Sequence, residues 1–131
     1  MRFRLATWNI NSVRLRLDLV ERFVSAYKPD ILCLQEIKCV DSSFPELPLR
    51  AAGFDHVAVA GQKGYHGVAT LSRIPFDVVE RRDICGRGHA RHLSVALGVG
   101  ARGSKPLVLH NVYVPSGGDV PDPAVNAKFR H

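Results

Sequence analysis

The feature that most limits the fold of this chain is a short apolar run, residues 31–34, which is followed directly by Gln35 and Glu36. A strand buried on both faces has a continuous apolar sequence, so this run predicts a buried strand of an α/β sheet. In such sheets ligands bind just beyond the strand ends, which is where Glu36 would lie. The alternative is that Glu36 caps a helix or pairs with Lys38, and spacing does not decide between the two.

A second predicted strand, residues 2–9, also ends on a polar residue, Asn9. Between the two strands, apolar residues recur at steps of three or four, which predicts an amphipathic helix. We expect Asn11 or Ser12 to cap this helix and Pro29 to end it. Its apolar positions are Val13, Leu17, Val20, Val24 and Tyr27.

A crossover of this length favours parallel pairing of the two strands. Their ends, and with them Asn9 and Glu36, should therefore meet at one edge of the sheet. A carboxylate beside neutral oxygen donors suits a hard cation such as Mg2+, which takes one or two protein carboxylates and leaves its other positions to water and phosphate. The sequence thus predicts a cation site at this edge, with Glu36 as the main ligand.

The rest of the chain predicts a glycine-rich loop and several more strands. Residues 61–67, Gly-Gln-Lys-Gly-Tyr-His-Gly, are either a hairpin turn or a loop that approaches a ligand closely. No repeat or linker divides the sequence, so we expect one α/β domain. The strands are expected at residues 54–60, 68–72, 76–82, 93–99 and 107–114, a helical turn at 49–52, a hairpin at 100–104 and the start of a helix at 126–131.

The charge balance favours a polyanionic partner. The chain has 18 Lys and Arg against 12 Asp and Glu, a formal charge of +6. The basic residues recur at predicted loops rather than in one tail, which favours nucleic acid or another phosphate ligand over a generally basic protein. The densest group is Arg81, Arg82, Arg87, His89, Arg91 and His92.

The cysteines and the chain start predict a cytoplasmic protein. Cys33, Cys39 and Cys85 form no Cys-x-x-Cys pair, and an odd number gives no disulfide framework. The first residues lack the apolar core of a signal peptide, and no apolar run is long enough to span a membrane. We therefore expect no membrane partner.

Four motifs, in this order and spacing, resemble those of the exonuclease III family within the endonuclease/exonuclease/phosphatase superfamily. The resemblance implies a four-layered α/β sandwich with two mixed sheets face to face and helices outside. It also implies a Mg2+-dependent enzyme, with Mn2+ as a substitute metal, that cuts double-stranded DNA beside abasic sites and trims it from 3′ ends. The motifs are TWNINSVR at 7–14, LQEIK at 34–38, GYHGVA at 64–69 and NVYVPSGG at 111–118.

The same resemblance assigns roles to residues. Glu36 and Asn9 match metal-site positions, and Asn9 also counts as catalytic. Tyr113 matches an active-site tyrosine whose hydroxyl lies near the scissile phosphate. The residues expected to contact DNA are Arg14, Lys63, Tyr65, His66 and Arg91.

Members of that family are much longer than this chain. The part without a counterpart here carries a Gly-Asp-x-Asn motif, a further acid and a Ser-Asp-His motif, which supply the general base and the rest of the metal shell. Residues 1–131 would then be a partial domain, the N-terminal half of the sandwich. We expect it to be inactive alone and to associate through an exposed sheet face.

Three functions compete at this point. The first is a nuclease of the exonuclease III type. The second is a catalytically silent nucleic-acid-binding or interaction fragment. The third is a phosphatase-type relative that acts on a small phosphoester. The motifs at 64–69 and 111–118 and the basic loops favour the first over the third.

Overall fold

The computed structural model describes residues 2–98, 103, 105–118 and 120–126. The hairpin predicted at 100–104 and the helix predicted at 126–131 fall largely outside these residues. The elements, in chain order, are β1 (Leu5–Asn9), α1 (Leu17–Tyr27), β2 (Ile31–Gln35), a 3-10 turn (Asp41–Ser43), α2 (Glu46–Ala51), β3 (His56–Ala60), β4 (Val68–Ser72), β5 (Phe76–Glu80), β6 (His92–Leu97) and β7 (Leu107–Val112).

The strands form two sheets. One is four-stranded in the order β1-β2-β4-β3, and the other is three-stranded in the order β5-β6-β7. As predicted, β1 and β2 are parallel, with Asn9 opposite Gln35. All other pairs are antiparallel, so within the described residues only the first sheet is mixed.

The apolar run in β2 is buried on both faces because two cores meet there. Leu32 and Leu34 belong to the core that also contains Val20 and Val24 of α1. The alternate residues, Ile31 and Cys33, face the second sheet instead. The described part is therefore a layer of helix on the first sheet, and that sheet on the second.

The helix α1 begins later than predicted and ends as predicted. It begins at Leu17, after a turn, and its N-cap is Arg16 with no side-chain cap, so capping by Asn11 or Ser12 was wrong. Its last residue is Tyr27, and its C-cap Lys28, whose φ is +48°, directly precedes Pro29. Tyr27 is 63% exposed and does not share the buried face. The strands β1, β3, β5, β6 and β7 are each one to three residues shorter than predicted.

The inner faces of both sheets are covered only in part within this chain. Leu93, Val95 and Leu97 of β6 pack with β2, β3 and β4 in one buried cluster. At β1 and β7 the inner faces stay open, since Leu5 and Leu107 are 44% and 46% exposed, so the expectation of an open sheet face holds only there. What stays open is a pair of edges, because β1 and β7 each pair on one side only in the described part of the chain.

The helices in the described ranges are too short or too polar to cross a lipid bilayer. The three cysteines are free thiols, as expected from their spacing.

Candidate active site

The segment that follows β2 is held between two neighbouring stretches of backbone. On one side Ser12 N–H donates to Glu36 O (2.8 Å) and Val13 N–H to Ile37 O (3.2 Å). On the other side Lys38 N–H donates to His66 O (3.0 Å). Glu36 is therefore fixed at the sheet edge by the Asn-rich segment after β1 and by the glycine-rich loop before β4.

The carboxylate of Glu36 meets the hydroxyl of Tyr113. Tyr113 follows β7 in the second sheet, and its Oη donates to Glu36 Oε1 at 2.5 Å. This bond is the main reason that the pKa of Glu36 lies below its usual range and that the pKa of Tyr113 lies above its own. Near neutral pH the pair is thus a carboxylate and an intact phenol, joined across the two sheets.

Asn9, Asn11 and Lys38 complete the polar surroundings of Glu36. The Asn9 side chain lies beside the Glu36 carboxylate and helps to lower its pKa, as expected from the parallel pairing of β1 and β2. Lys38 Nζ lies 3.7 Å from Glu36 Oε2 and donates to Asn11 Oδ1 at 2.6 Å. The alternative in which Glu36 pairs with Lys38 is therefore real, but it adds to the Tyr113 and Asn9 contacts rather than replacing them.

The backbone around Glu36 is strained. Six described non-glycine residues have positive φ, and one of them, Lys28, ends α1. Left-handed conformations of such residues cost about 1–3 kcal/mol each and cluster at functional sites. The other five lie on the three segments that form this edge, and they are Asn11, Ser12, Glu36, Lys38 and His66.

Arg91 and two histidines surround Tyr113. The Arg91 guanidinium lies over the Tyr113 ring, 4.7 Å from its centroid, and donates to Tyr113 O at 3.3 Å. The His66 ring lies 5.9 Å from that of Tyr113 and 4.4 Å from that of His89. Burial, and then Arg91 and His89, lower the pKa of His66, so this imidazole is neutral near pH 7. The edge therefore combines one anion with nearby cationic and neutral donors.

Two loops are tied together beside this group. Gly67 N–H donates to Ala90 O (2.8 Å), and Ala90 N–H donates to Gln62 Oε1 (2.9 Å). The glycine-rich loop is thus a tight connection that also borders the site. It joins β3 to β4, an antiparallel pair, so the hairpin interpretation of its sequence is confirmed, and the close approach to a ligand stays a prediction.

Other residues predicted to contact DNA lie further out. Tyr65 is 70% exposed, with its ring 6.2 Å from that of His66. Lys63 and Arg14 are exposed on the loops that flank Glu36. None of these three shares a described contact with Tyr113, so the structure gathers only His66 and Arg91 around it.

The dense basic group in the sequence is gathered in part, because Arg81, Arg82, His89 and His92 line one cavity. Arg82 pairs with Glu80, and its backbone N–H donates to Nδ1 of the buried His92. Arg81 donates to the carbonyl of Val59 at 2.7 Å. Of the six residues, Arg91 and His89 lie with the site residues, while Arg81, Arg82 and His92 have structural partners.

The donors present fit a hard cation only in part. No group of three or more His, Cys, Asp or Glu side chains suited to a metal occurs among the described residues. Glu36 nevertheless is ionised, and 20% of its side chain is exposed. A carboxylate with an amide oxygen from Asn9 suits Mg2+, which keeps several waters and adds substrate phosphate. The Asn11 oxygen is taken by Lys38.

Two residues of the site region were given no role by sequence reasoning. Asn111 and Gln35 hydrogen-bond to each other beneath Glu36 and Tyr113, at 2.8 Å. Asn111 could have been found, because in β7 it shares the inward-facing positions with Leu107 and Leu109. An amide at such a position signals a buried polar contact.

This chain belongs to the endonuclease/exonuclease/phosphatase family, whose sequence model matches residues 6–130. Among curated relatives it is similar to exodeoxyribonuclease III of Haemophilus influenzae, with 38% identity over 78 residues, or 60% of this chain and 29% of that protein. It is also similar to recombination repair protein 1 of Drosophila melanogaster, with 33% identity over 117 residues, or 88% of this chain and 16% of that one.

Two solved structures share the fold over almost the whole chain. An AP endonuclease from Archaeoglobus fulgidus superposes with a TM-score of 0.79 at 33% identity. The 3′ phosphatase NExo from Neisseria, bound to product DNA hairpin, superposes with a TM-score of 0.80 at 30% identity. Each match covers 97% of this chain and 47% of the other. The α/β fold and the family resemblance are confirmed, and the chain spans less than half the length of these relatives.

Proposed function

We propose that this chain carries the metal- and phosphate-binding part of a DNA repair nuclease of the exonuclease III type. The reaction is hydrolysis of phosphodiester bonds beside abasic sites and at 3′ ends of double-stranded DNA. The observation that carries the proposal is the 2.5 Å hydrogen bond between Tyr113 and Glu36. It brings a carboxylate and a phenol together at the edge where both sheets end.

Glu36 and Asn9 would hold Mg2+ or Mn2+ at this edge. When bound, the cation neutralises charge that develops on the phosphate oxygens. Tyr113 keeps its proton, and with a phosphate bound its hydroxyl would turn its one hydrogen bond from Glu36 to such an oxygen. Arg91 adds a positive charge beside it. These residues supply the electrostatic part of the reaction.

A general base is the part that this site lacks. His66 is neutral near pH 7, but in the described hydrogen bonds neither the His66 nor the His89 ring donates to a carboxylate that would orient it. General-base catalysis is typically worth about 10²- to 10⁴-fold in rate. We therefore expect the chain to bind metal and phosphate without rapid hydrolysis.

Removal of a 3′ phosphate from DNA is a second candidate reaction. It is favoured by the similarity to the 3′ phosphatase NExo, which matches 97% of this chain. A phosphomonoester and a phosphodiester present the same oxygens to Glu36, Tyr113 and Arg91, so the same residues serve either substrate. The small-phosphoester alternative is less favoured, because the basic and aromatic side chains at the site border extend beyond one phosphate.

The first test is binding by the full chain. Free Mn2+ would be followed by electron paramagnetic resonance, and binding of a labelled duplex with one abasic-site analogue by fluorescence anisotropy. Glu36→Gln should weaken Mn2+ binding by about tenfold or more, because a ligand charge is lost while the shape is kept. Arg91→Gln should weaken binding of the duplex but leave Mn2+ affinity near the wild-type value.

Equal Mn2+ affinity in wild type and Glu36→Gln would remove Glu36 from a metal site. Binding of an inositol phosphate as tight as binding of the duplex would favour the small-phosphoester alternative. Duplex binding that is intact in Glu36→Gln and needs no Mn2+ would favour the silent nucleic-acid-binding fragment.

A further inference from the structure

A chain of three polar side chains runs beneath the site residues. Gln35 Nε2 donates to Thr7 Oγ1 at 3.0 Å and to Asn111 Oδ1 at 2.8 Å. Thr7, Gln35 and Asn111 lie on β1, β2 and β7, the three strands that lead to Asn9, Glu36 and Tyr113. Each member of the chain precedes its site residue by one or two positions.

Asn111 holds this row of hydrogen-bonded side chains between the two sheets. It is 2% exposed, and its Nδ2 donates to Ala69 O at 2.9 Å and Leu34 O at 3.2 Å. Those carbonyls belong to β4 and β2 of the first sheet, while Asn111 itself belongs to the second. One amide therefore joins β7 to two strands of the opposite sheet.

Stability is a weak reason for an amide at this place. On β7 Asn111 shares the inward-facing side with Leu109, and it lies opposite Leu93, which is fully buried. A leucine would bury apolar surface here without the cost of desolvating an amide. A fully bonded buried amide instead fixes one arrangement, because any other leaves its donors or acceptor unpaired.

The arrangement that Asn111 fixes is the position of β7 along its own direction relative to β2. Glu36 and Tyr113 come from different sheets, and β2 and β7 are not paired as strands. The backbone link between the sheets near them is indirect, through the bond from Gly67 N–H to Ala90 O. The described side-chain hydrogen bonds that join the first sheet to β7 are those of Asn111. A shift of β7 along its own direction would break these bonds and carry Tyr113 away from Glu36.

We propose that Thr7, Gln35 and Asn111 are positioning residues that set the Tyr113 hydroxyl against the Glu36 carboxylate. This inference rests on the proposed function, in which that pair binds metal and phosphate. Residues that orient a metal ligand are typically worth about 10- to 100-fold in metal affinity when replaced. Loss of the hydrogen bonds among Thr7, Gln35 and Asn111 should therefore weaken cation binding, although none of these three residues touches the cation.

The test compares three near-isosteric variants, Thr7→Val, Gln35→Met and Asn111→Leu, with the control Ser72→Ala. Ser72 is as buried as Asn111 and lies in the first sheet with Thr7 and Gln35. Its hydroxyl bonds locally, to Ile74 beyond the opposite end of β4. All four are measured as the full chain, and circular dichroism establishes that each is folded. Thr7 is exposed, so Thr7→Val keeps the test open even where Asn111→Leu does not fold.

The first readout needs no metal. The coupling between Glu36→Gln and Tyr113→Phe in the unfolding equilibrium constant should be about tenfold in wild type, typical of residues in contact. In the Gln35→Met background this coupling factor should fall toward one, and in the Ser72→Ala background it should remain about tenfold. An undiminished coupling in Gln35→Met and Asn111→Leu would overturn the positioning role.

The second readout is Mn2+ affinity of the same variants. We expect a loss of about tenfold or more in Gln35→Met and none in Ser72→Ala. Variants that lose stability but bind Mn2+ as wild type does would show a purely structural role. Absence of Mn2+ binding in wild type, with the coupling still lost in Gln35→Met, would reject the proposed function and leave the positioning role standing.

Discussion

Glu36 and Tyr113 stabilise opposite protonation states in each other. The hydrogen bond that favours the Glu36 carboxylate also holds the proton on the Tyr113 phenol. Such a bond between a phenol and a charged oxygen is worth about 1.5–3 kcal/mol when well formed. The pair is thus a link between the sheets as well as a binding feature.

This pair predicts a stability that depends on pH at both ends of the scale. The lowered pKa of Glu36 gives stability that is present above its ordinary value of 4.5 and lost as pH falls through the folded value. The raised pKa of Tyr113 gives stability that is present below its ordinary value of 10.0 and lost as pH rises through the folded value.

Tyr113→Phe should therefore be less stable than wild type between these limits, by roughly 1–2 kcal/mol, and the difference should shrink in acid and in alkali. Urea unfolding followed across this range measures it. Tyr65→Phe is the matched control, because Tyr65 is 70% exposed and should show no such window. No difference at any pH would mean that packing of the ring, which Phe keeps, joins the two sheets without the hydrogen bond.

At the scale of elements, the glycine-rich loop is held by contact with the segment after β2. Gly67 has φ +84°, and a Cβ there would lie 2.6 Å from Ile37 Cγ1. Gly64, in the same loop, has φ +74° and open space around it. The two glycines thus separate the cost of conformation from the cost of packing.

Gly67→Ala should lower the free energy of unfolding by roughly 2–5 kcal/mol, the sum of a strained φ and an overpacked contact. Gly64→Ala should cost only about 1 kcal/mol, from conformation. Equilibrium unfolding in urea gives both values. Similar losses of unfolding free energy in the two variants would show that the loop shifts at Gly67 and that the added Cβ makes no steric clash with Ile37.

The loops that border the site should give DNA binding a strong dependence on salt. Affinity should fall steeply with salt and depend little on sequence, because these cations suit phosphate rather than base edges. Lys63→Gln and Arg91→Gln should each reduce the slope of log affinity against log salt by about 0.9, one phosphate contact each.

Arg22→Gln is the control for that measurement. It removes the same charge from an exposed position of α1, two residues from the buried Val20 and so on the outer side of the helix. Fluorescence anisotropy at several salt concentrations gives the slopes. A slope near zero in wild type, or equal slopes in all three variants, would show that the basic loops do not contact phosphate.

The sequence predicted best those elements whose apolar residues follow a pattern that indicates burial. The apolar run of β2 and the helical crossover were enough to place Asn9 beside Glu36. The start of α1 was wrong because Ser12 and Val13 use their N–H groups on the carbonyls of Glu36 and Ile37. Backbone bonds of this kind leave no periodic signal, and neither does the approach of β7 that brings Tyr113 to the site.

At the scale of the whole molecule, the open side lies between the edges of the two sheets. A cavity of about 270 Å³ separates β1 from β7 and is lined by residues such as Leu5 and Leu109. Leu5 is 44% exposed, Leu107 46% and Val112 37%. Unpaired edges with apolar side chains are templates for further strands. The relatives are about twice as long as this chain, since each superposition covers 47% of theirs.

We therefore predict that this chain does not measurably incise an abasic-site duplex by itself, and that a complementary half restores activity in part. The base is absent from the described site, and the edges of β1 and β7 offer apolar surface worth ~25 cal/mol for each Å² that a partner buries. The complementary half would be the unmatched part of the Archaeoglobus fulgidus AP endonuclease, produced as a separate chain.

The assay follows a labelled duplex with Mg2+, with and without that partner, while sedimentation reports association. Cleavage should require both chains and should disappear when this chain carries Glu36→Ala, which controls for contaminating nuclease. Leu107→Lys, which charges the open edge at the end of β7 far from Tyr113, should weaken association and activity together. Robust cleavage by the isolated chain that depends on Glu36 would mean that the base lies within residues 1–131, and His66 would then be the first residue to replace.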